Sequence, residues 1–347
     1  MSFEFLIEDL GTGHTSALIG AGVGLLFGVF AQQSRFCLRA ACVEFWRGQA
    51  GPKFAVWLLA FSAALIGTQI AIENGNLETG NIRQLNAVGS MSGAIIGGLL
   101  FGSGMILARG CASRLLVLSA TGNMRALISG LVITIVAQAS LRGALSPFRE
   151  DLSNIWLLEA YQRGFSHLLP NNGGVILGSA IFLLGLWYAR KNTVRPWITL
   201  TATLTGLCIA LGWALTSWHA DNSFDIVPIK SISFTGPSAD TLMGFINTPT
   251  LPLSFDIGLV PGVFVGAFLA SVFSREFKWQ QFTQETKQSR YLIGASMMGF
   301  GSMLAGGCAV GAGVTGGALL AMTAWVALFC MWLGAGATDW LVDKPHR

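Results

Sequence analysis

Two stretches, Gly102-Ser-Gly-Met-Ile-Leu-Ala-Arg-Gly-Cys-Ala112 and Gly299-Phe-Gly-Ser-Met-Leu-Ala-Gly-Gly-Cys-Ala309, align at an offset of 197 residues. Gly102/Gly299, Gly104/Gly301, Leu107/Leu304, Ala108/Ala305, Gly110/Gly307, Cys111/Cys308 and Ala112/Ala309 are identical. Each stretch closes an apolar, glycine-rich run with a Gly-Cys pair. What the repeat means depends on how many such runs lie between its copies.

A bilayer-spanning helix needs about 20 mostly apolar residues. Nine runs qualify: 14–33, 53–72, 88–108, 123–141, 173–190, 196–218, 255–274, 290–307 and 318–341. Strand-like alternation at barrel length is absent, so the spans are read as helices. The motif closes the third span and the eighth. Five spans on, the second copy must face the opposite way. The reading is therefore an all-α polytopic membrane protein built as an inverted-topology repeat, the usual plan of secondary transporters. It treats 1–347 as one transmembrane domain, with repeat A at 14–146, a connector at 147–195 and repeat B at 196–342.

Composition agrees. Charged residues make up 11% of the 347, too few to cover the surface of a soluble domain. A disordered chain, a collagen and a disulfide-rich secreted module are excluded. The net charge of +4 comes without a basic run, so nucleic-acid binding is not expected. Met1 to Gly13 carries Glu4, Glu8 and Asp9 and no Lys or Arg, which does not read as a secretory signal. Six cysteines without a CxxC form neither a disulfide framework nor a zinc site.

Orientation follows from the loops. With the N-terminus outside, segments 34–53, 109–125, 190–196, 274–290 and 342–347 lie inside and hold 16 of the 21 Lys and Arg residues. The expected location is a bacterial inner (plasma) membrane, N-terminus out and C-terminus cytoplasmic. Segment 142–172, with Trp156, Leu157, Leu158 and Tyr161, reads as a helix lying on the outer surface. Ser34-Arg-Phe-Cys37 and Ile232-Ser-Phe-Thr-Gly-Pro237 read as the starts of short re-entrant helices, the second beginning at Pro237.

The residues able to carry chemistry are few. Cys111 and Cys308 follow Arg-Gly and Gly-Gly breaks, where non-helical backbone at membrane depth must be buried or line a cavity. A thiol there can present its S–H to a pore, next to the N–H groups of the following half-helix, which favour an anion. For Cys37 this reading and a packing role both stand, whereas Cys42, Cys208 and Cys330 read as small buried hydrophobes. Gly20-xxx-Gly24-xxx-Gly28, Gly98-xxx-Gly102 and Gly262-xxx-Gly266 read as close helix contacts. No GxxxxGK[ST] is present, so ATP-driven transport by this chain is not expected.

No Asp, Glu or Lys falls mid-span, and His14, His167, His219 and His346 lie at span ends or in loops. Polar groups left at depth include the thiols and amides such as Gln32, Gln33, Gln69 and Gln138. Such a lining suits a soft, sulfur-bearing anion better than a hard cation. Arg35 and Arg39 flank Cys37, and Arg109 and Arg114 bracket Cys111. They draw an anion inward, or simply obey the positive-inside rule.

At these residues the sequence resembles the YeeE/YedE family of sulfur-transport membrane proteins, which includes bacterial thiosulfate permeases. The matching pieces are Ser34-Arg-Phe-Cys37, Gly97 through Ala112, Thr235-Gly-Pro-Ser-Ala239, Ser274-Arg-Glu-Phe277 and Met298 through Gly313. The resemblance implies a helical inverted-repeat fold pinched in the middle. It implies thiosulfate import, with the anion meeting Cys37, Cys111 and Cys308 in turn, and a TusA-like cytoplasmic sulfurtransferase as partner. Arg109 and Arg114 stand where the family more often has small residues, as at Gly306 and Gly311 in the second copy.

The expectation is thus a permease, not an enzyme, needing no cofactor and no metal. Its partners are thiosulfate or a similar sulfur anion and the lipid bilayer. The substrate pathway would comprise Cys37, Cys111, Cys308, Arg35, Arg114, Gly110 and Gly307. A sulfite or selenium-compound permease, and a membrane sulfurtransferase carrying a cysteine persulfide, remain the alternatives at this point.

Overall fold

A computed structural model describes residues 11–159, 163–165, 170, 172–247, 249, 251–280 and 288–343. Tyr161, His167, His346 and the acidic residues of the first ten positions lie outside them. Among the described residues, nine helical segments are long and apolar enough to cross a membrane. They match the nine predicted runs to within a few residues at most ends. The first, third and eighth run on past their predicted ends, to Trp46, Ala120 and Ala318. In each the helix breaks and a short second helix follows.

The elements needed below are α1 (Thr12–Ser34), α2 (Leu38–Trp46), α3 (Pro52–Glu73), α4 (Met91–Leu107), α5 (Ala112–Ala120), α6 (Met124–Arg142) and α7 (Ser146–Asn154). They continue with α8 (Gly173–Lys191), α9 (Pro196–Asp221), α10 (Thr235–Asn247), α11 (Phe255–Phe273), α12 (Gln288–Leu304) and α13 (Met322–Thr338). A π-helix, Ala309–Thr315, follows the break after α12.

Local chemistry sets the boundaries. Ser90 accepts the N–H of Gly93 at 2.8 Å and so caps α4, and Asn123 accepts that of Ala126 at 3.1 Å to cap α6. Glu44, on α2, accepts the N–H groups of Lys53 and Phe54 and caps α3 from outside. Eight of these helices end alike, α1, α4, α11 and α12 among them. In α1, α4, α11 and α12 the residue after the last turn is left-handed: Arg35, Arg109, Arg275 and Gly306. In each the next N–H reaches back five residues, Phe36 to Ala31, Gly110 to Met105, Glu276 to Ser271 and Gly307 to Ser302.

Glycine brings the helices together as their spacing predicts. A Cβ on Gly20, Gly24 or Gly28 of α1 would strike the backbone of α11, and one on Gly258, Gly262 or Gly266 of α11 would strike α1. Gly98 and Gly102 of α4 meet the carbonyls of Ala327 and Met331 on α13. Where α4 crosses α12, Gly97 faces the Gly301 carbonyl and Gly104 faces that of Gly294. The 197-residue offset turns the first of these pairs into the second. The offset likewise turns the α4–α13 contact into that of α12 with α6, whereas α9 packs on α3, with Gly206 against the Ala60 carbonyl, at a different offset from α1 on α11.

The segment after α9 returns into the molecule. Thr216 Oγ1 donates to the Lys230 carbonyl and Ser231 Oγ to that of Ile209, each at 2.6 Å. Ile209 lies roughly 18 Å back along α9 from its end at 1.5 Å per residue. From that depth α10 begins, at Thr235 rather than Pro237. Proline sits in its first turn, where its missing N–H costs nothing. Of the predicted surface helix, Ser146–Asn154 forms α7. The chain then pairs β2 (Leu157–Leu158) antiparallel to β1 (Gly89–Ser90).

Candidate functional site

Three short helices share one device. Cys37 is the N-cap of α2, Cys111 that of α5 and Cys308 that of the π-helix. Cys308 Sγ accepts the N–H of Gly311 at 3.4 Å. The N–H groups of Ala40 and Arg114, likewise three residues on, face Cys37 and Cys111 without closing a cap bond. Each thiol therefore sits where a helix turns unpaired N–H groups and the positive end of its dipole outward. At offset 197 the position matching Cys37 is Phe234, directly before α10. It is buried and packs on Phe27 with ring centroids 5.4 Å apart. The fourth short helix thus starts at a benzyl group instead of a thiol.

The structure brings Cys37 and Cys111 together. Their thiols face one another, and Ser113 Oγ lies 3.3 Å from Cys111 Sγ. Sequence spacing hid this pair, since 74 residues separate its members. Arg114 lies beside both thiols, half-buried. Its Nη1 donates to Gln32 Oε1 at 3.4 Å, and it forms no ion pair among the described residues. Gln32 in turn donates through Nε2 to Glu276 Oε2 at 2.9 Å. Arg35 Nη2 meets Glu276 Oε1 at 2.8 Å. Gln32 and Glu276 were not expected among the pathway residues. Gln32 had only its depth to mark it, and Glu276 only the weak Ser-Arg-Glu-Phe signal.

Cys308 lies elsewhere. The end of α12 at Ala305 packs beside Gly97 near the start of α4, whereas the end of α4 at Ala108 packs beside Gly294. Eleven residues of helix, roughly 16 Å, separate these levels. Around Cys308 the residues from Ala309 to Leu320 are all buried, and six glycines fall between Gly306 and Gly317. The re-entrant segment covers it: Ser233 Oγ lies against Gly311, and Thr315 Oγ1 donates to the Ile232 carbonyl at 2.6 Å. Gly307 adopts φ 156 within this break, and Gly110 is its buried counterpart in the other.

Two of the predicted arginines are otherwise engaged. Arg109 is exposed on the turn that ends α4. Arg39 reaches Asp343 at 3.7 Å, and Arg290 reaches the same carboxylate at 2.8 Å. With the Arg47–Asp339 pair, doubly bonded at 2.9 Å, these contacts tie α2 to the end of α13 and the turn after it. Cys42, Cys208 and Cys330 are buried, in keeping with packing roles. Among the described residues no group of three or more His, Cys, Asp or Glu side chains is placed to hold a metal ion.

Known proteins resemble this chain along almost its whole length. The family described as Sulphur transport matches residues 33–337. A thiosulfate transporter, TsuA, of Escherichia coli K12 is 27% identical to this chain, the match covering 95% of it and 96% of the relative. The thiosulfate transporter TsuA of Spirochaeta thermophila is 28% identical, the match covering 94% and 98% respectively.

Proposed function

The chain belongs to the sulphur-transport family, and on that premise we propose that it is a permease importing thiosulfate or a closely related small sulfur anion. The observation that carries this reading is the Cys37–Cys111 pair, set at two helix N-termini beside a half-buried arginine that has no carboxylate partner among the described residues. Neutral thiols and backbone N–H groups donate weakly to an oxyanion or a terminal sulfur. Weak donors at successive stations hold a passing anion without trapping it.

We take Cys308 as the outer station and Cys37 with Cys111 as the inner one. This rests on the 16-to-5 division of positive residues, which favours an N-out, C-in chain in a bacterial inner membrane. The helix contacts that exchange under the 197-residue offset support repeats 14–146 and 196–342, inverted about the α4–α12 crossing, with 147–195 as connector. A potential of 100 mV, negative inside, opposes entrance of a dianion by about 4.6 kcal/mol. Import therefore needs coupling to a proton or cation, or consumption of the sulfur inside; with no Asp, Glu or Lys mid-span in the sequence, we favour consumption by a TusA-like sulfurtransferase.

The test is uptake of labelled thiosulfate by cells that lack other sulfur importers. Cys111→Ala and Cys308→Ala each remove a donor to an anion and should lower uptake about ten- to a hundredfold. Full uptake by either variant would end this account of the pore. Competition by sulfite and by selenium oxyanions in the same cells sets the substrate range.

A further inference from the structure

We propose that Gln32, Arg35 and Arg114 form a further anion station beside the thiol pair, and that the Glu276 carboxylate occupies it as a tethered stand-in for the substrate. The proposal rests on the permease reading and adds to it the group that closes the passage.

The argument starts from Gln32. Its side chain is buried, 4% exposed, so both ends of its amide need partners. Arg114 can only donate, so the amide oxygen must face Arg114. The NH2 group is thereby aimed away from Arg114, and it meets an oxygen of Glu276. Whatever occupies this place must be an acceptor. Arg35 makes the same demand. It is the left-handed cap of α1, two residues before Cys37, and its guanidinium takes the other oxygen of the same carboxylate. Two donors from one helix end thus grip the two oxygens of one anion, as they would grip two oxygens of thiosulfate or sulfate.

Arg114 completes the station. It lies within electrostatic reach of both thiols, of Arg35 and of Glu276, yet it forms no ion pair with a carboxylate among the described residues. An anion leaving Cys37 and Cys111 meets this guanidinium next. Lys53 adds positive charge nearby, while the carboxylate of Glu44 is spent on capping α3.

Glu276 is built to leave. Its backbone is fixed, because its N–H bonds the Ser271 carbonyl at 2.8 Å and Gln33 Nε2 holds Ser274 Oγ at 2.6 Å. Only its side-chain torsions need turn. The Arg35–Glu276 pair is open to solvent, with side chains 59% and 37% exposed, so it is a weak bond in water. A mobile carboxylate on buried or cationic donors is a competitor for the anion, and one that a dianion can displace.

The experiment uses the full chain in lipid nanodiscs and measures binding of thiosulfate, with sulfate as a second probe, alongside uptake by cells. E276A should bind thiosulfate about fivefold more tightly than the wild type, and E276Q should fall between them. R35A and Q32A should bind more weakly, and Q32A should cancel the gain of E276A in the double variant. E276Q carries the test if E276A does not fold. Unchanged or weakened binding in folded E276A or E276Q, with wild-type uptake intact, overturns the tethered-anion proposal alone. A wild-type protein that takes up no thiosulfate overturns the permease reading beneath it.

Discussion

The break after α4 and the break after α12 descend to the same Gly-Cys pair, yet they are made of opposite materials. At Cys111 the flanking positions are Arg109 and Arg114, and a regular α-helix follows. At Cys308 they are Gly306 and Gly311, and the next turns wind as a π-helix of small residues. Beside Cys111 stands a second thiol, Cys37, whose counterpart at offset 197 is Phe234, packed on Phe27. One break carries charge and an amide network, and the other carries bare backbone. An anion passing from Cys308 to Cys111 would leave a neutral cleft for a cationic one. With Cys111 on the inner side, as proposed above, opposition by the membrane potential would grow along the same direction and the charge would sit where it lowers the barrier most.

The harshest way to break the comparison is to make the two glycines before the thiols alike. Gly307 has φ 156, and a Cβ there would lie 2.7 Å from the Ala312 nitrogen. Gly307→Ala should destabilise the protein by about 3 kcal/mol, read as a lower melting temperature and lost uptake. Gly110 has no left-handed φ, and its nearest neighbour would be the flexible Leu115 side chain at 3.2 Å. Gly110→Ala should cost less than about 1 kcal/mol. Equal losses would show that the two breaks are one structure despite their sequences.

A second change removes the charge that separates them. Arg114→Gly gives the Cys111 break the residue that the Cys308 break has at Gly311. Without its guanidinium the thiol pair keeps its S–H and N–H donors, while Gln32 and Arg35 stay on Glu276. The apparent KM for thiosulfate uptake should rise about ten- to a hundredfold, the range for loss of hydrogen bonds from a charged donor. An unchanged KM would reduce Arg114 to a topology signal and leave the thiols to bind the anion alone.

How much of this could be read beforehand depends on the kind of contact. The spans were legible because twenty apolar residues leave few options, and Gly24, Gly262 and Gly102 pack where their four-residue spacing puts them. The helix breaks were legible because Arg-Gly-Cys and Gly-Gly-Cys interrupt long apolar runs. The pairing of Cys37 with Cys111 was not, since it depends on where α2 and α5 converge, which no local pattern encodes. Glu276 stayed hidden for a related reason. It lies in a loop past α11, and only the packing of α11 on α1 carries it to Gln32 and Arg35. Phe234 in place of a thiol emerged only when α10 proved to start at Thr235, two residues before the proline that marked it.

The smallest effect concerns Arg109, the other arginine of the first break. It holds φ 57, a conformation that costs an L-residue about 1–2 kcal/mol and glycine almost nothing. Its counterpart Gly306 holds φ 80 in the same turn. Glycine gives part of this gain back through the entropy of the unfolded chain. Arg109→Gly should therefore raise stability by about 0.5–1 kcal/mol, a shift of a few degrees in melting temperature. Because Arg109 is exposed and lies off the Gln32–Glu276 network, uptake should stay at the wild-type level. That outcome confines the functional charge of the first break to Arg114. A fall in uptake together with the gain in stability would instead extend the cationic cleft by one more residue toward the membrane surface, and the strained backbone at Arg109 would then be kept for the position of its guanidinium.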